Sequence, residues 1–486
     1  MVETSIVSLG SMIRFHAIST PTQTAIISDN FSITWQELHQ SSNKVAHKFI
    51  ELGVSRGDFI CVSADNSIEF FTTVFAIYKV GAVPQPLSPK LTNREYIQII
   101  DLVQPFLILG FNLEGSHSQD SQVVPYLVDL IDACSLLSIE DLPDITSPSW
   151  KAPTSGGSTG LPKVIVSTDP GAIDIQASAG MGMVRGECML IPGPMYHNGP
   201  FSYSIRGLAY GLSLVTTKRF SAKKTLELVE KHQISWMMLV PTMMNRIWKL
   251  EDRFDFDLSS IKYLWHLASK CPDWLKHEWI NWIGSNCVYE LYAGTESQAI
   301  TAISGDEWLK KRGSVGRAVT GEIAIFDPIG NLVKFGVEGE IYMRANPGRT
   351  SYRYLGSMAK TLPGGWESLG DLGSLDEDGY LYIGDRLADM IVSGGANIYP
   401  AEVECALEEH QDVLSSAVVG VPDPDLGKAV HAVVQIVEGS KLTTKDLLDF
   451  LSDKLIPYKH PRTIRLTYEV IRDNAGKVRR SSHVVL

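Results

Sequence analysis

The sequence lacks the features of several large protein classes. Its six cysteines form no Cys-x-x-Cys pair, so neither a disulfide framework nor a typical zinc site is expected. No apolar run is long enough to cross a bilayer, and the N-terminus has no basic segment followed by an apolar one. The sequence contains no internal repeat and no low-complexity tract. These absences favour a globular cytoplasmic protein with reduced thiols.

An excess of positive charge is also missing. The chain has 43 Lys and Arg against 55 Asp and Glu, a net charge of -12. This balance opposes nucleic acid or an anionic membrane surface as the main partner. The 486 residues, 44% of them hydrophobic, exceed what one hydrophobic core usually holds. We therefore expect two or more domains.

Helix and strand patterns alternate through the first part of the chain. Thr34-Trp-Gln-Glu37 is typical of a helix-opening capping box, and residues 59–62 and 106–109 have the pattern of short buried strands. β-rich hairpins are predicted from Gly321, and a smaller pattern of helices and strands from about Asp389. We predict an α/β protein. Residues 1–385 form a large N-terminal domain of layered α/β subdomains plus a β-rich subdomain, and residues 386–486 form a small C-terminal α+β domain.

The most informative stretch is Thr154-Ser-Gly-Gly-Ser-Thr-Gly-Leu-Pro-Lys163. Glycines let the backbone approach an anion, hydroxyl and main-chain N–H groups surround it, and a lysine supplies countercharge. A flexible linker has a similar composition, but the strand-like residues 164–166 follow directly, which a linker does not need. The stretch is not the common P-loop, because the lysine follows Leu-Pro and no Ser or Thr comes next. It predicts a phosphate-holding loop.

Four later stretches are rich in residues that nucleotide chemistry uses. They are Tyr292-Ala-Gly-Thr-Glu296, Asp371 between glycines, Arg386 with the Gly394-Gly395 turn, and Asn474-Ala-Gly-Lys477. Each has a structural alternative. Tyr292 could belong to the core, Glu296 could be a solvated charge and Asp371 a turn residue. Arg386 could form a surface ion pair, and Lys477 could belong to a basic tail.

In this order, the motifs resemble those of the adenylate-forming superfamily, which includes acyl-CoA synthetases, amino-acid-activating domains and luciferases. The resemblance extends from Thr34 to Lys477. It implies that a carboxylate attacks the α-phosphate of MgATP to give an acyl-adenylate and pyrophosphate, and that a thiol such as that of CoA then displaces AMP. It also implies that the small domain is mobile and rotates between the two half-reactions. The hinge lies near Ala388, where relatives often have Asp or Lys.

The resemblance assigns a set of residues to ATP. These are Thr154, Ser155, Gly156, Gly157, Ser158, Thr159, Gly160, Lys163, Tyr292, Ala293, Gly294, Thr295, Asp371, Arg386 and Lys477. By this resemblance Thr295 bonds the α-phosphate, Glu296 holds Mg²⁺, and Lys477 bridges the acyl carboxylate and the phosphate. Gly394 and Gly395 lie at the CoA thiol. Tyr292 lies along the adenine, and Asp371 binds the ribose hydroxyls with Arg386 alongside.

Met195-Tyr-His-Asn-Gly-Pro-Phe201 resembles the segment that carries a histidine near the acyl pocket of this family. His197 is either a gate to that pocket or an ordinary structural histidine. The predicted pocket residues, which could equally be plain core, are His197, Asn198, Tyr203, Met237, Trp265 and Leu267. The segment Phe201-Ser-Tyr-Ser204 lacks the acid that would pair with an α-amino group, so a hydrophobic acid is favoured over an amino acid.

An acid–CoA ligase is therefore the leading hypothesis, with ATP, Mg²⁺ and CoA as its small molecules. Alternatives are an adenylating enzyme that loads the phosphopantetheine of a separate carrier protein, or a non-catalytic nucleotide-binding homologue. A luciferase fits by fold alone. Lys270 is an uncertain addition to the site, and Cys271 is expected to be a buried structural thiol. The oligomeric state stays open, a homodimer being one possibility.

Overall fold

A mostly parallel sheet of nine strands organises the large domain. The computed structural model describes residues 5–111, 122–124, 127–156, 162–386, 389–394, 396–473, 476–478 and 480. The spatial order of the nine strands is Arg317–Thr320, Ile300–Ser304, Val288–Ala293, Tyr263–His266, Trp236–Leu239, Cys188–Leu190, Ser213–Thr216, Thr24–Ser28 and Phe31–Thr34. The strands from Val288–Ala293 to Thr24–Ser28 run parallel.

Helices cover both faces of this sheet because successive strand side chains point to opposite sides. Met189 and Trp236 enter one hydrophobic cluster, whereas Leu190 and Met237 enter the other. The first cluster is covered by Leu9–Ser19, Trp35–Glu51, Ile68–Lys79, Leu127–Ala133 and Asn198–Tyr210. The second is covered by Ala222–His232, Pro241–Trp248 and Asp273–Ile283. Among the described residues, no helix combines the length and apolar character that crossing a membrane requires.

A second parallel sheet confirms the alternation predicted near the N-terminus. Its order is Val83–Leu87, Phe59–Ser63, Leu107–Leu109 and Gln122–Val124. Side chains of the helix Asn93–Val103 and of this sheet pack in one hydrophobic cluster. The capping box at Thr34 is also present, since Thr34 Oγ1 accepts from the Glu37 N–H at 3.2 Å and the Glu37 carboxylate accepts from the Thr34 N–H at 2.8 Å.

The β-rich part contains two antiparallel sheets. The larger consists of Glu322–Phe326, Gly339–Arg344, Trp366–Leu375, Lys360–Leu362 and Leu381–Arg386. The smaller pairs Tyr352–Leu355, Pro162–Ser167 and Thr154–Gly156, and thereby joins the glycine- and serine-rich stretch to the β-rich part. The remaining short elements of the large domain are Ile6–Ser8, Ala172–Asp174, Arg253–Asp255 and Gly305–Trp308.

The small C-terminal domain has its own sheet and core. Its elements are Ile391–Ser393, Ala396–Ile398, Pro400–Glu408, Val413–Asp423, Gly427–Ile436, Thr444–Ser452, Pro457–Lys459 and Thr463–Thr467. The predicted α/β class with a large and a small domain is thus confirmed. The boundary after residue 385 falls within the strand Leu381–Arg386, and Ala388 lies outside the described residues, so the boundary and the hinge stay predictions.

Lys249 of the large domain binds backbone carbonyl groups of the small domain. The ammonium donates to four carbonyls just beyond and at the end of the helix Pro400–Glu408, namely those of Glu408, His410, Gln411 and Val413. Carbonyls at a helix C-terminus lack helical partners and attract cations. One turn earlier, Asn245 Nδ2 donates to the Leu414 carbonyl at 3.3 Å. This orientation of the domains is therefore secured by specific polar contacts.

Replacing Lys249 with Met should loosen this docking. Hydrogen bonds from a charged donor contribute about 1.5–3 kcal/mol each at most, so we expect a loss of about 2 kcal/mol from the docked arrangement. Hydrogen exchange of the backbone amides of residues 408–414 should accelerate. Lys262→Met is the matched control, because the Lys262 ammonium is paired with Glu187 on the large domain. Equal exchange in the two variants would contradict the assignment.

Candidate active site

Lys163, the last residue of the glycine- and serine-rich stretch, contacts Glu296. Lys163 Nζ lies 3.0 Å from Glu296 Oε1 and 3.0 Å from the Tyr354 hydroxyl, which also donates to Glu296 Oε1. The ammonium sits 4.4 Å from the centre of the Tyr354 ring. Glu296 is 4% exposed, so its carboxylate is buried but fully partnered. The structure thus places two predicted site residues, Lys163 and Glu296, in contact and adds Tyr354 to the site.

Tyr354 was not predicted, although Tyr-Arg-Tyr-Leu355 alternates in the manner of a strand. That pattern identifies a strand but not its neighbour. Tyr354 reaches the site because its strand pairs with Pro162–Ser167 in a register that places Tyr354 opposite Ile165. On its other side the strand Pro162–Ser167 pairs with Thr154–Gly156, which places Lys163 opposite Ser155.

The first residues of the loop lie in the strand Thr154–Gly156. Thr154 Oγ1 accepts from the buried Gln85 Nε2 at 3.2 Å, a contact that the sequence patterns did not indicate. Ser155 Oγ is buried and has no hydrogen-bond partner among the described residues. A buried hydroxyl without a partner is costly, and a phosphate oxygen would satisfy it. Gly157, Ser158, Thr159 and Gly160 lie outside the described residues.

A tight turn presents Thr295 and Glu296. The Ser297 N–H donates to the Gly294 carbonyl at 3.1 Å, and Ser297 has a left-handed φ of 56°. A Cβ on Gly294 would lie 2.3 Å from Leu369 Cδ1 and 2.9 Å from Glu296 Oε2. Glycine at this position leaves room for both side chains, including the Glu296 carboxylate that accepts from Lys163.

Tyr292 and Asp371 form a second pair of predicted residues. The Tyr292 hydroxyl donates to Asp371 Oδ2 at 2.7 Å. Asp371 is 7% exposed and lies opposite Arg386 in the strand register. Tyr292 is half-buried against a small hydrophobic cluster, and Ala293 ends its strand. The two residues therefore combine a structural contact with a position beside the turn that presents Thr295.

The predicted lysine Lys477 lies in a segment that packs against the large domain. Asp473 Oδ2 lies 3.6 Å from His197 Nε2, and Asp473 Oδ1 accepts from the Lys477 N–H at 2.9 Å. A Cβ on Gly476, whose φ is 75°, would lie 2.8 Å from Thr242 Oγ1. Burial lowers the pKa of His197, and the Asp473 carboxylate partly offsets this, so the imidazole is neutral at pH 7. Residues from both domains meet at His197.

The predicted pocket residues divide between the two faces of the main sheet. Tyr203, Trp265 and Leu267 belong to the same cluster, and Trp265 stacks on Tyr289 with ring centres 4.9 Å apart. Met237 is fully buried in the opposite cluster. The structure therefore does not bring Met237 together with Trp265, whose strand neighbour in register is Met238.

Asn198 and Ser202 contact a lysine that the sequence patterns did not single out. Lys151 Nζ donates to Asn198 Oδ1 at 2.6 Å and to Ser202 Oγ at 3.2 Å. Lys151 is 5% exposed, and burial lowers its pKa to about 8. The only sequence signal was a lysine between Trp150 and Ala152, three residues before the glycine- and serine-rich stretch.

The other candidates lie apart from these contacts. The Gly394 N–H donates to the Leu426 carbonyl at 3.0 Å within the small domain, and Gly395 lies outside the described residues. Lys270 is exposed and donates to the Ile383 carbonyl at 3.2 Å. Cys271 is buried, and burial raises the pKa of its thiol, as expected for a structural cysteine.

The chain matches two models of known protein families. The model described as "AMP-binding enzyme" matches residues 14–351, and that described as "AMP-binding enzyme C-terminal domain" matches residues 402–477. A 2-succinylbenzoate–CoA ligase of Geobacillus sp. (strain WCH70) is 27% identical over 97% of this chain and 96% of its own length. The fatty acid–[acyl-carrier-protein] ligase ScoC of Streptomyces coeruleorubidus is 28% identical over 96% of this chain and 94% of its own length.

A solved structure has the same fold over nearly the whole chain. It is o-succinylbenzoate coenzyme A synthetase from Bacillus subtilis, in complex with ATP and magnesium ion. The TM-score is 0.81 at 25% sequence identity, and the similarity covers 97% of this chain and 98% of that one.

The ion pair of Lys163 and Glu296 can be tested by stability measurements. Lys163→Met leaves the buried carboxylate with only the Tyr354 hydroxyl, and breaking a buried pair costs about 3–5 kcal/mol. Because Lys163 keeps some solvent exposure, we expect a smaller loss, about 2 kcal/mol, in chemical denaturation. The double variant Lys163→Met/Glu296→Gln should recover most of it. If the two single effects simply add, the residues do not interact in solution.

Proposed function

The chain belongs to the AMP-binding enzyme family, and we propose that it uses MgATP to activate a carboxylic acid as the acyl-adenylate and then transfers the acyl group to the thiol of CoA. The observation that carries this proposal is the docking of the segment around Lys477 beside His197, through the 3.6 Å contact of Asp473 and the close approach of Gly476 to Thr242. A protein that only bound nucleotide would have little use for a lysine delivered there by a second domain.

The names of the relatives support the acceptor and the substrate class. A 2-succinylbenzoate–CoA ligase is similar to this chain over nearly its full length, which supports an organic acid and CoA. The fatty acid–[acyl-carrier-protein] ligase favours a second candidate, in which the thiol belongs to the phosphopantetheine of a carrier protein. All six cysteines are free thiols, which supports a cytoplasmic location.

In the first half-reaction the acid's carboxylate displaces pyrophosphate from the α-phosphorus of ATP. The loop 154–163 would hold the departing phosphates, and the Ser155 hydroxyl, which has no partner among the residues that the structure describes, would be available as a donor. Thr295 would bond the α-phosphate. Lys477 would lie between the two reacting groups and offset the negative charge that gathers in the transition state. The carboxylate of Glu296 is a fitting ligand for Mg²⁺, which neutralises phosphate charge when bound.

Lys163 and Glu296 would exchange partners during this step. With no nucleotide, the Lys163 ammonium neutralises the buried Glu296 carboxylate at 3.0 Å. Glu296 would hold the divalent cation in place of the ammonium, and Lys163 would then be available to the phosphates. In this scheme the buried Glu296 carboxylate faces a cation in both states.

Asp371 would receive the ribose hydroxyls, and the hydrogen bond from Tyr292 orients its carboxylate. Tyr292 would lie along the adenine with Ala293 and Gly294. Arg386 faces Asp371 in the strand register and would contact the same ribose. These residues position the nucleotide and leave the chemistry to Thr295 and Lys477.

The second half-reaction requires the small domain to move. We place the domain boundary near residue 386 and the pivot at Ala388. Rotation would withdraw Lys477, separate Asp473 from His197, and bring the region of Gly394 and Gly395 to the thiol. His197 would then be free to open the path to the acyl carbon.

An acid panel tests the proposed activity. The protein is incubated with ATP, Mg²⁺ and mono- and dicarboxylic acids, and pyrophosphate is measured with and without CoA. We expect acid-dependent pyrophosphate release that CoA accelerates, together with formation of acyl-CoA. Release without any acid-dependent component would contradict the proposal, and an acyl-adenylate consumed only by a carrier protein would favour the second candidate.

Lys477→Ala should separate the two half-reactions. Loss of a preorganised donor costs about 2.7–4 kcal/mol of transition-state stabilisation, so adenylation should slow by about two to three orders of magnitude. Thiol transfer from a supplied acyl-adenylate should persist, because Lys477 is withdrawn in that step. Lys445→Ala, an exposed change on the helix Thr444–Ser452, is the control. Equal damage to both half-reactions would show that the role of Lys477 is different.

A further inference from the structure

The predicted acyl pocket borders a buried cation that makes no direct ion pair among the described residues. Lys151 is 5% exposed, and its ammonium donates to the uncharged oxygens of Asn198 and Ser202. Across the described part of the chain, no carboxylate lies at ion-pair distance from Lys151. Its other close neighbour is the ring of Trp150, whose centre lies 4.5 Å from Nζ. Aromatic faces and amide oxygens attract an ammonium but do not neutralise it.

This arrangement is costly without a ligand. A buried ammonium whose direct partners are all neutral loses more hydration than it regains. The more distant carboxylates of Asp169 and Glu296 offset this only in part, since the pKa of Lys151 is still lowered to about 8. Asn198 is also the first residue of the helix Asn198–Tyr210, and the N-terminal end of a helix carries positive partial charge. Both the burial and the nearby N-terminal end of the helix therefore disfavour a positive charge at Lys151. An anion at this position would offset both effects.

A second unsatisfied group lies at the same helix end. His197 Nε2 is buried and has no hydrogen-bond partner within the described ranges, the Asp473 carboxylate being 3.6 Å away. The apolar side chains of Tyr203, Trp265 and Leu267 lie in the cluster on this side of the sheet. The surroundings combine a hydrophobic wall with one deeply buried positive charge.

We propose that Lys151 is a specificity-determining residue that pairs with a second anionic group of the acid substrate, in addition to the carboxylate that becomes adenylated. The inference rests on the proposed function and deepens it. The preferred substrate then has an apolar body and two carboxylates, or one carboxylate and another anionic substituent. This differs from the purely hydrophobic acid that the residue pattern favoured.

The test compares acids that differ by one carboxylate. Suitable pairs are 2-succinylbenzoate with 3-benzoylpropionate, and adipate with hexanoate, measured by acid-dependent pyrophosphate release. The wild-type protein should prefer the diacid of a pair in kcat/KM. In Lys151→Met this preference should fall about ten- to a hundredfold, mainly through KM of the diacid, as expected for loss of a charged hydrogen-bond partner. Lys151→Arg keeps the charge and should retain part of the preference.

Asn198→Asp provides an independent variant that keeps the volume of the pocket. The new carboxylate would pair with Lys151 inside the protein, so the thermal midpoint of the ligand-free protein should rise while the preference for diacids falls. In Lys151→Met the midpoint should stay equal or rise, since an uncompensated buried charge is removed.

The outcomes distinguish the inference from the function on which it rests. If no acid is activated by the wild-type protein, the proposed function fails and the inference with it. If acids are activated but Lys151→Met and Asn198→Asp leave the ratio between diacid and monoacid unchanged, only the role of Lys151 is overturned. A wild-type preference for monoacids in every pair would overturn it as well.

Discussion

A buried carboxylate that must always face a cation is the constraint on which the site depends. Glu296 is almost wholly enclosed, and Lys163 satisfies it at 3.0 Å with help from the Tyr354 hydroxyl. Lys163 and Tyr354 lie on paired strands from distant parts of the chain, and Glu296 lies on the turn after the strand Val288–Ala293. Because Lys163 ends the proposed phosphate loop, a divalent cation at Glu296 would compete with the Lys163 ammonium for the carboxylate.

The contacts between the two domains are polar contacts of a different kind. Lys249 binds backbone carbonyls of the small domain, and His197 faces Asp473 across the same junction. Such contacts are polar, local and directional, so they define one orientation without burying a large apolar surface. An interface of this kind can hold Lys477 in place for one step and release it for the next. The proposed rotation needs both properties.

Two lysines in the N-terminal half of the chain, Lys79 and Lys151, are buried and donate to uncharged groups. Lys79 donates to Asn43 Oδ1 and to the His39 carbonyl, and its third contact is His39 Nδ1 at 3.0 Å. The carboxylate of Asp141 opposes the lowering of the Lys79 pKa that burial causes. Lys151 donates to two neutral oxygens, and the carboxylates of Asp169 and Glu296 likewise oppose the lowering of its pKa. The difference between the two lysines is their place, since Lys151 bonds the first turn of the helix Asn198–Tyr210, where we propose that it meets the substrate.

Local chemistry made the layered α/β plan predictable, because capping residues and hydrophobic periodicity act over a few neighbours. The same kind of local signal, glycine and hydroxyl content, led to the proposed phosphate loop. The roles proposed for the ATP-site residues came from the order of the motifs along the chain, which the sequence also contains. Only the tertiary structure placed Tyr354 on Glu296 and Met237 on the opposite face from Trp265. Strand register and the choice of face depend on pairing between distant segments, and a shift of one residue reverses every side chain. No local pattern encodes that pairing.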